Sequence, residues 1–250
     1  VEGQVGVPLL LLLGGSRGIG ETIALAASHA GYRVLLTYVS REVAAQQVVE
    51  RIQSGGGEAQ AMQADVAIEA DLLRVFAEVD RLGSSALKAV VVNSGITGPS
   101  SPLAEATTET LAGVLNVNLL GAMIAAREAV RRMSTQFGGK GGSIVFLSSR
   151  AAQHGAPGEY VWYAASKGGI DSLTSGLARE VAAQGIRVNA VSPGVIRTEI
   201  HAPGRLEKIN SVLPMQRPGE AEEVASAVMF LVSDAASYIS GANLSVSGAR

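Results

Sequence analysis

Short apolar runs alternate along the chain with longer stretches whose hydrophobic positions recur every three to four residues, and each pair is closed by glycine or by a polar turn. The first run is the clearest. Pro8-Leu9-Leu10-Leu11-Leu12-Leu13 shows no polar/apolar alternation and gives way at once to Gly14-Gly15-Ser16-Arg17-Gly18-Ile19-Gly20. A strand covered on one face alternates, whereas a strand in a parallel sheet covered on both faces is continuously apolar, and Leu9 to Leu13 fits the second description. The pattern predicts strands at 8–13, 33–38, 59–63, 87–92, 143–148, 186–191 and 242–246. Helices are predicted at 18–30, 41–53, 69–82, 108–136, 161–184 and 220–233, with Gly31, Gly55 and Gly185 placed where helices commonly stop. Strict strand–helix alternation implies right-handed crossovers, hence one doubly wound α/β domain: a parallel sheet of about seven strands with helices on both faces. Only 138–142 ("GGKGG") and 193–218 look loose, so the domain is expected to span 1–250.

The leucine run has a competing reading as an export signal, which it fails. A secretory signal needs a basic start, yet Glu2 is the only charge before the leucines, Pro8 interrupts the run and Arg17 follows it. A membrane span needs about 20 apolar residues, more than this run holds. The composition fits a large α/β unit: 250 residues, 47% hydrophobic and only 17% charged, enough to bury a sizeable core. A net charge of −2 without a basic block argues against a nucleic-acid partner, and no feature calls for a membrane. The absence of cysteine removes disulfides and thiolate metal sites and fits a cytoplasmic protein.

In doubly wound sheets ligands bind beyond the carboxyl ends of the strands, so candidate chemistry is sought there. The glycines after the first strand let the backbone approach a ligand, and the following helix offers free N–H groups and a positive dipole end to a pyrophosphate. Gly14, Ser16, Arg17, Gly18, Ile19 and Gly20 are therefore candidate dinucleotide contacts. Their G-x-x-x-G-x-G spacing differs from the commoner G-x-G-x-x-G, and close strand–helix packing alone would also explain the glycines. NAD sites usually place an acid at the end of the second strand. Here "VLLTYVSRE" has Thr37 and Tyr38 there instead, and Arg17 with Ser40 or Arg41 is suited to a 2′-phosphate. That absence favours NADP(H), with NAD(H) as the alternative; the plain reading of Arg17 and Arg41 is solvated surface charge. Asp65 with Val66 after the third strand suits an adenine, and Asn93 to Gly95 after the fourth suits the adenosine ribose, although each is also a common turn residue.

Tyr163 and Lys167 are four apart and share a face of the helix predicted over 161–184. An ammonium near a phenol favours the phenolate and lowers a pKa that starts at about 10, which suits the tyrosine to general acid/base work.

These residues lie in a chain that resembles the short-chain dehydrogenase/reductase family from end to end, particularly its 3-oxoacyl-carrier-protein reductases and glucose 1-dehydrogenases. The matching pieces are "GGSRGIG", "NSG" (93–95), "NVNLLG" (116–121), "SS" (148–149), "YAASKGG" (163–169), "IRVNAVSPGVIRTE" (186–199) and "SGANLSVSG" (240–248). The resemblance implies a Rossmann-type fold and hydride exchange at a carbonyl or alcohol carbon of a small molecule, without a metal. It implies that Tyr163 passes a proton to or from the substrate oxygen and that Ser149 hydrogen-bonds that oxygen. Lys167 lowers the tyrosine pKa and holds the nicotinamide ribose, while Asn118 kinks its helix and holds a water linked to Lys167. Pro193, Gly194, Ile196 and Thr198 line the nicotinamide side, a lid near 197–215 covers the substrate, and the chains assemble as a homotetramer or homodimer.

Several positions depart from the family pattern. Leu13 replaces a threonine that usually braces the glycine turn, Val92 and Ser94 alter "NNAG", and "VSGA" replaces "VDGG" at 246–249. Ser149 lies 14 residues before Tyr163, one more than is usual, which calls for a bulged loop and keeps Ser148 as the reserve candidate. These departures motivate the rival reading, a non-catalytic nucleotide sensor or scaffold that retains the fold. His154 and His201 are expected in pocket-side loops and His29 on the first helix. Trp162 reads as packing or an oligomer contact, as does the stripe of Ile170, Leu173, Leu177 and Val181.

Overall fold

The computed structural model describes residues 6–83, 86–199 and 212–250. Its seven strands are β1 (Leu9–Leu13), β2 (Arg33–Tyr38), β3 (Ala59–Gln63), β4 (Leu87–Val92), β5 (Gly142–Leu147), β6 (Ile186–Pro193) and β7 (Asn243–Val246). They form one all-parallel sheet in the order β3-β2-β1-β4-β5-β6-β7. The chain moves outward from β1 to β2 and β3, then returns to place β4 on the other side of β1. Connections on the two sides therefore diverge beyond the carboxyl ends of β1 and β4 and leave a crevice there.

The leucine run shows why alternation is missing. Leu9, Leu11 and Leu13 belong to one apolar core, and Leu10 and Leu12 to the other. All five are essentially inaccessible. The first core includes Phe76 of α3 (Glu69–Arg81), Ala125 of α5 (Gly121–Met133) and Ile170 of α7 (Val161–Val181). The second includes Ile23 of α1 (Gly18–His29), Val48 of α2 (Glu42–Ser54) and Val228 of α8 (Ala221–Val232). The α7 stripe is core packing: Ile170 and Val181 are buried, with Leu173 and Leu177 packed beside them.

The long helix predicted over 108–136 is the main departure. It is divided into α4 (Thr108–Leu115), a π-helical turn (Asn116–Leu120) and α5. The buried Asn118 side chain accounts for the widened turn: it accepts from the Ile96 N–H at 2.8 Å and donates to the Ile96 carbonyl at 2.9 Å and to Ser166 Oγ at 3.0 Å. A single inserted side chain so anchored is a recognised cause of a break in the helical ladder. The stretch Thr108–Met133 also has the length and hydropathy of a membrane span. Here Ala122, Ala125, Ala129 and Met133 pack in the same core as Val90 and Ile144 of the sheet. Elsewhere the differences are a short helix, α6 (Ala151–His154), and element ends: β6 runs on to Pro193 because it pairs with β7, and α7 gives way at Val181 to a 3₁₀ turn, Ala182–Gln184.

Leu11 sits where both layers meet the sheet centre, flanked by Leu35 and Val90 in register. Leu11→Ala is expected to destabilise the protein by about 3–5 kcal/mol, measured as a lower denaturant midpoint with an unchanged slope.

Candidate functional site

A cleft of about 700 Å³ opens along the carboxyl edge of the sheet. From the β1 turn it is lined by Gly14, Ser16, Arg17, Gly18 and Ile19, and after β2 by Tyr38, Ser40 and Arg41. Asp65 and Val66 follow β3, Asn93 and Gly95 follow β4, and Ser149 follows β5. Tyr163 and Lys167 enter from α7, and Pro193, Gly194, Ile196 and Thr198 from the end of β6. Two expected site residues lie behind the wall instead: Asn118 braces the Ile96 backbone, and Gly20 packs so tightly that a Cβ would strike the Gly14 carbonyl. His154 lines the cleft and His29 ends α1, whereas His201 and most of 197–215 lie outside the described residues.

The glycine turn is braced by a residue that the sequence did not single out for this task. The Gly14 N–H donates to Thr37 Oγ1 at 3.0 Å, and the Gly15 N–H donates to the Thr37 carbonyl at 2.9 Å. The hydroxyl missing at Leu13 is thus supplied from the neighbouring strand. On the other side Asn93 Nδ2 donates to the Gly14 carbonyl at 2.5 Å, so Val92 can remain in the core. Gly14 has φ +84° and its missing Cβ leaves room for Ser94, so here glycine is required by conformation and space together. Arg17 stands at the start of α1 without a side-chain cap, which leaves the helix's first amides facing the cleft.

At the far end Arg17 and Arg41 converge on one carboxylate. Glu199 Oε2 accepts from Arg41 at 2.7 Å and lies 3.5 Å from Arg17, all three side chains being largely exposed. Asp65 Oδ1 accepts from the Ala67 N–H at 2.9 Å, and the Asp65 N–H donates to Asp71, fixing the turn after β3.

The chemistry-bearing end is built on α7. Lys167 is buried and donates to the Leu147 carbonyl at 2.6 Å, while its Nζ lies 5.8 Å from the centre of the Tyr163 ring. Burial pulls its pKa down to about 8, against the opposing charge of Asp171. Ser149, whose Oγ accepts from the Ala151 N–H at 3.1 Å, lies beside Tyr163, whereas Ser148 is turned inward, 2.5 Å from Asp171 Oδ1 and 3.2 Å from the Lys167 carbonyl oxygen. Asn243 and Gln153 also donate to Asp171. Asp171 is one helical turn beyond Lys167, and that spacing was the only sequence signal for it.

One expectation is corrected. Burial raises the Tyr163 phenol above its ordinary value, partly offset by Ser149, so the lowering expected from Lys167 does not set the direction. The physical reason is geometric, because the ammonium is directed at the Leu147 carbonyl and is itself poorly solvated. Between Ser149 and Tyr163 the backbone takes positive φ at Gly155, Ala156 and Gly158. Trp162 is a packing residue: it is buried and donates to the Thr97 carbonyl at 2.7 Å.

Thr37→Val keeps the shape of the brace and removes its hydroxyl. It is expected to cost about 1–3 kcal/mol through the orphaned Gly14 N–H, with Thr37→Ser restoring most of the loss in thermal denaturation. For Lys167 the sign follows from its lowered pKa. Between pH about 8 and 10.5 the unfolded chain still binds the proton that the folded chain has released, so folding stability rises with pH. Stability measured across this window should therefore climb for the wild type relative to Lys167→Met, which has nothing to titrate.

Comparison with known proteins gives a consistent picture. The family model described as enoyl-(acyl carrier protein) reductase matches residues 14–248. An *Escherichia coli* K12 protein named uncharacterized oxidoreductase YgfF is 46% identical over 246 residues, covering 97% of this chain and 99% of its own. The 3-oxoacyl-[acyl-carrier-protein] reductase of Synechocystis is 36% identical over 239 residues, covering 95% and 94%. Among solved structures, a short-chain dehydrogenase/reductase from Serratia marcescens superposes with a TM-score of 0.89 at 31% identity, covering 97% of each chain. A blue fluorescent protein from a metagenomic library, crystallised with NADPH, gives the same TM-score, identity and coverage.

Proposed function

The chain belongs to the short-chain dehydrogenase/reductase family, and from that premise we propose that it is an NADP(H)-preferring oxidoreductase exchanging hydride with a carbonyl or secondary alcohol, with Tyr163 as general acid/base. The observation that carries this reading is the convergence of Ser149, Tyr163 and Lys167 on the cleft that the glycine turn also lines.

The cleft suits a dinucleotide. A left-handed glycine at 14, uncapped amides at the start of α1 and paired arginines already gripping a carboxylate form a cradle for phosphates. Gly14, Ser16, Gly18 and Ile19 would hold the pyrophosphate, with Gly20 allowing the close packing behind them, and Arg17 would reach the 2′-phosphate. Tyr38, Ser40 and Arg41 would surround the 2′-phosphate, Asp65 and Val66 the adenine, and Asn93 and Gly95 the adenosine ribose. Pro193, Gly194, Ile196 and Thr198 would face the nicotinamide. NAD(H) would enter the same cleft without the charge-assisted contacts at Arg17 and Arg41. The bound nicotinamide supplies the hydride donor or acceptor.

The protein's own part is proton transfer and charge placement. The Tyr163 phenol, whose pKa burial raises, would give its proton to the substrate oxygen during carbonyl reduction. Ser149 donates a second hydrogen bond to the substrate oxygen as negative charge develops there. Lys167 then acts on the phenolate left behind, lowering the cost of the charge in a site that has little water. Asn118 holds the Ile96 wall with its side-chain amide, kinks its helix and would hold a water linked to Lys167.

The substrate would be a small molecule in the part of the cleft between Ser149, His154 and Tyr160. The protein would act in the cytoplasm and as a homotetramer or homodimer, the assembly being supported by exposed apolar Leu115 of α4, Leu120 of the π turn and Met123 of α5. A non-catalytic sensor or scaffold is not favoured, since Thr37 and Asn93 compensate for Leu13 and Val92.

A panel of aldehydes, ketones, quinones, sugars and acyl thioesters with both coenzymes should reveal turnover. Tyr163→Phe should then lower kcat by about 10²–10⁴-fold while NADPH fluorescence still reports binding; full activity in that variant would overturn the mechanism.

A further inference from the structure

Glu199 follows Thr198, whose methyl group would touch a Cβ built on Gly18, so this segment lies against the glycine turn. From there the Glu199 carboxylate reaches Arg41, which follows β2 on the opposite side of the cleft mouth, and also approaches Arg17. All three residues line the cleft. The two cations assigned above to a phosphate are therefore already joined to an anion belonging to the protein.

We propose that Glu199 is an internal occupant of the 2′-phosphate seat and thereby sets how strongly the protein discriminates NADP(H) from NAD(H). The inference rests on the assignment of Arg17 and Arg41 to NADP(H). Its physical basis is competition between two anions for one pair of guanidinium groups. The Glu199 side chain is 63% exposed, and the arginines are 46% and 51% exposed. Exposed pairs of this kind are worth no more than about 1 kcal/mol, so the carboxylate is displaceable. A phosphate monoester brings a charge of about −1.5 to −2 and three acceptor oxygens, so it wins the two arginines from a carboxylate. It does so against the like charge of Glu199, which must withdraw as it enters. NAD(H) brings no phosphate to this point and leaves the Glu199 pairs in place.

The test compares wild type, Glu199→Gln and Arg41→Ala by fluorescence titration with NADPH and with NADH. Gln is close to Glu in size and the position is exposed, so the fold is retained; circular dichroism checks it. Glu199→Gln is expected to bind NADPH about three- to tenfold more tightly at low salt, with NADH changed by less than about twofold. The gain should shrink at high salt. Unchanged or weaker NADPH binding by Glu199→Gln, or an equal gain for NADH, overturns the proposal. Arg41→Ala tests the parent reading separately and should lose about tenfold in NADPH affinity relative to NADH. If the wild type and Arg41→Ala treat the two coenzymes alike, the phosphate assignment falls and this inference with it. If Arg41→Ala loses discrimination but Glu199→Gln gains no NADPH affinity, only the role of Glu199 falls.

Discussion

The buried ammonium of Lys167 is the interaction around which the rest of the cleft is arranged. A parallel sheet covered on both faces sends every strand's carboxyl end to one edge, and there the Leu147 carbonyl accepts from Lys167. The charge is poorly solvated, which is why its pKa falls to about 8. Asp171, held by Ser148, Asn243 and Gln153, offsets part of that penalty from one turn along the same helix. Ser148 is thereby committed to the carboxylate, and its neighbour Ser149 is the serine beside Tyr163. The two adjacent hydroxyls are separated in role by strand geometry: at the exit of β5 successive side chains point to opposite sides.

At the opposite end the same sheet register sets the glycine turn. Leu12 pairs with Leu36, so the following residues bring Thr37 beside Gly14 and Gly15. Leu13 pairs with Val92, which places Asn93 beside the Gly14 carbonyl. The turn is thus held from both neighbouring strands, and a hydrophobic residue at 13 is tolerated because its hydroxyl has a substitute. A slip of β1 by one residue against both neighbours would turn its leucines to the opposite cores and remove both braces together.

Much of this was legible in the sequence because it depends on local period and on strand ends. Continuous leucines announced a doubly covered strand, and strand-end positions gathered Gly14, Arg41, Asp65, Asn93, Ser149 and Thr198 onto one cleft. What escaped depends on distant residues meeting. Thr37 stood out as an absent acid, yet its work is to brace β1 across the sheet. The division of the helix at Asn118 follows from contacts with Ile96 and Ser166, which periodicity does not record. The direction of the Tyr163 shift was missed for a related reason: spacing placed an ammonium nearby, but burial and the competing Leu147 carbonyl decide where its field acts.

That last point changes what the tyrosine–lysine pair is for. On the proposed mechanism, a phenol raised by burial would keep its proton until the substrate oxygen acquires charge. The field of Lys167 then has its greatest effect on the phenolate, a species absent from the resting cleft, and a water-poor setting strengthens that effect. The burial that makes Lys167 costly to hold as a cation is thus the same burial that makes its charge effective 5.8 Å from the ring. On the proposed mechanism, Asp171 completes the balance: it keeps the lysine's pKa from falling further, and so keeps the charge available near neutral pH.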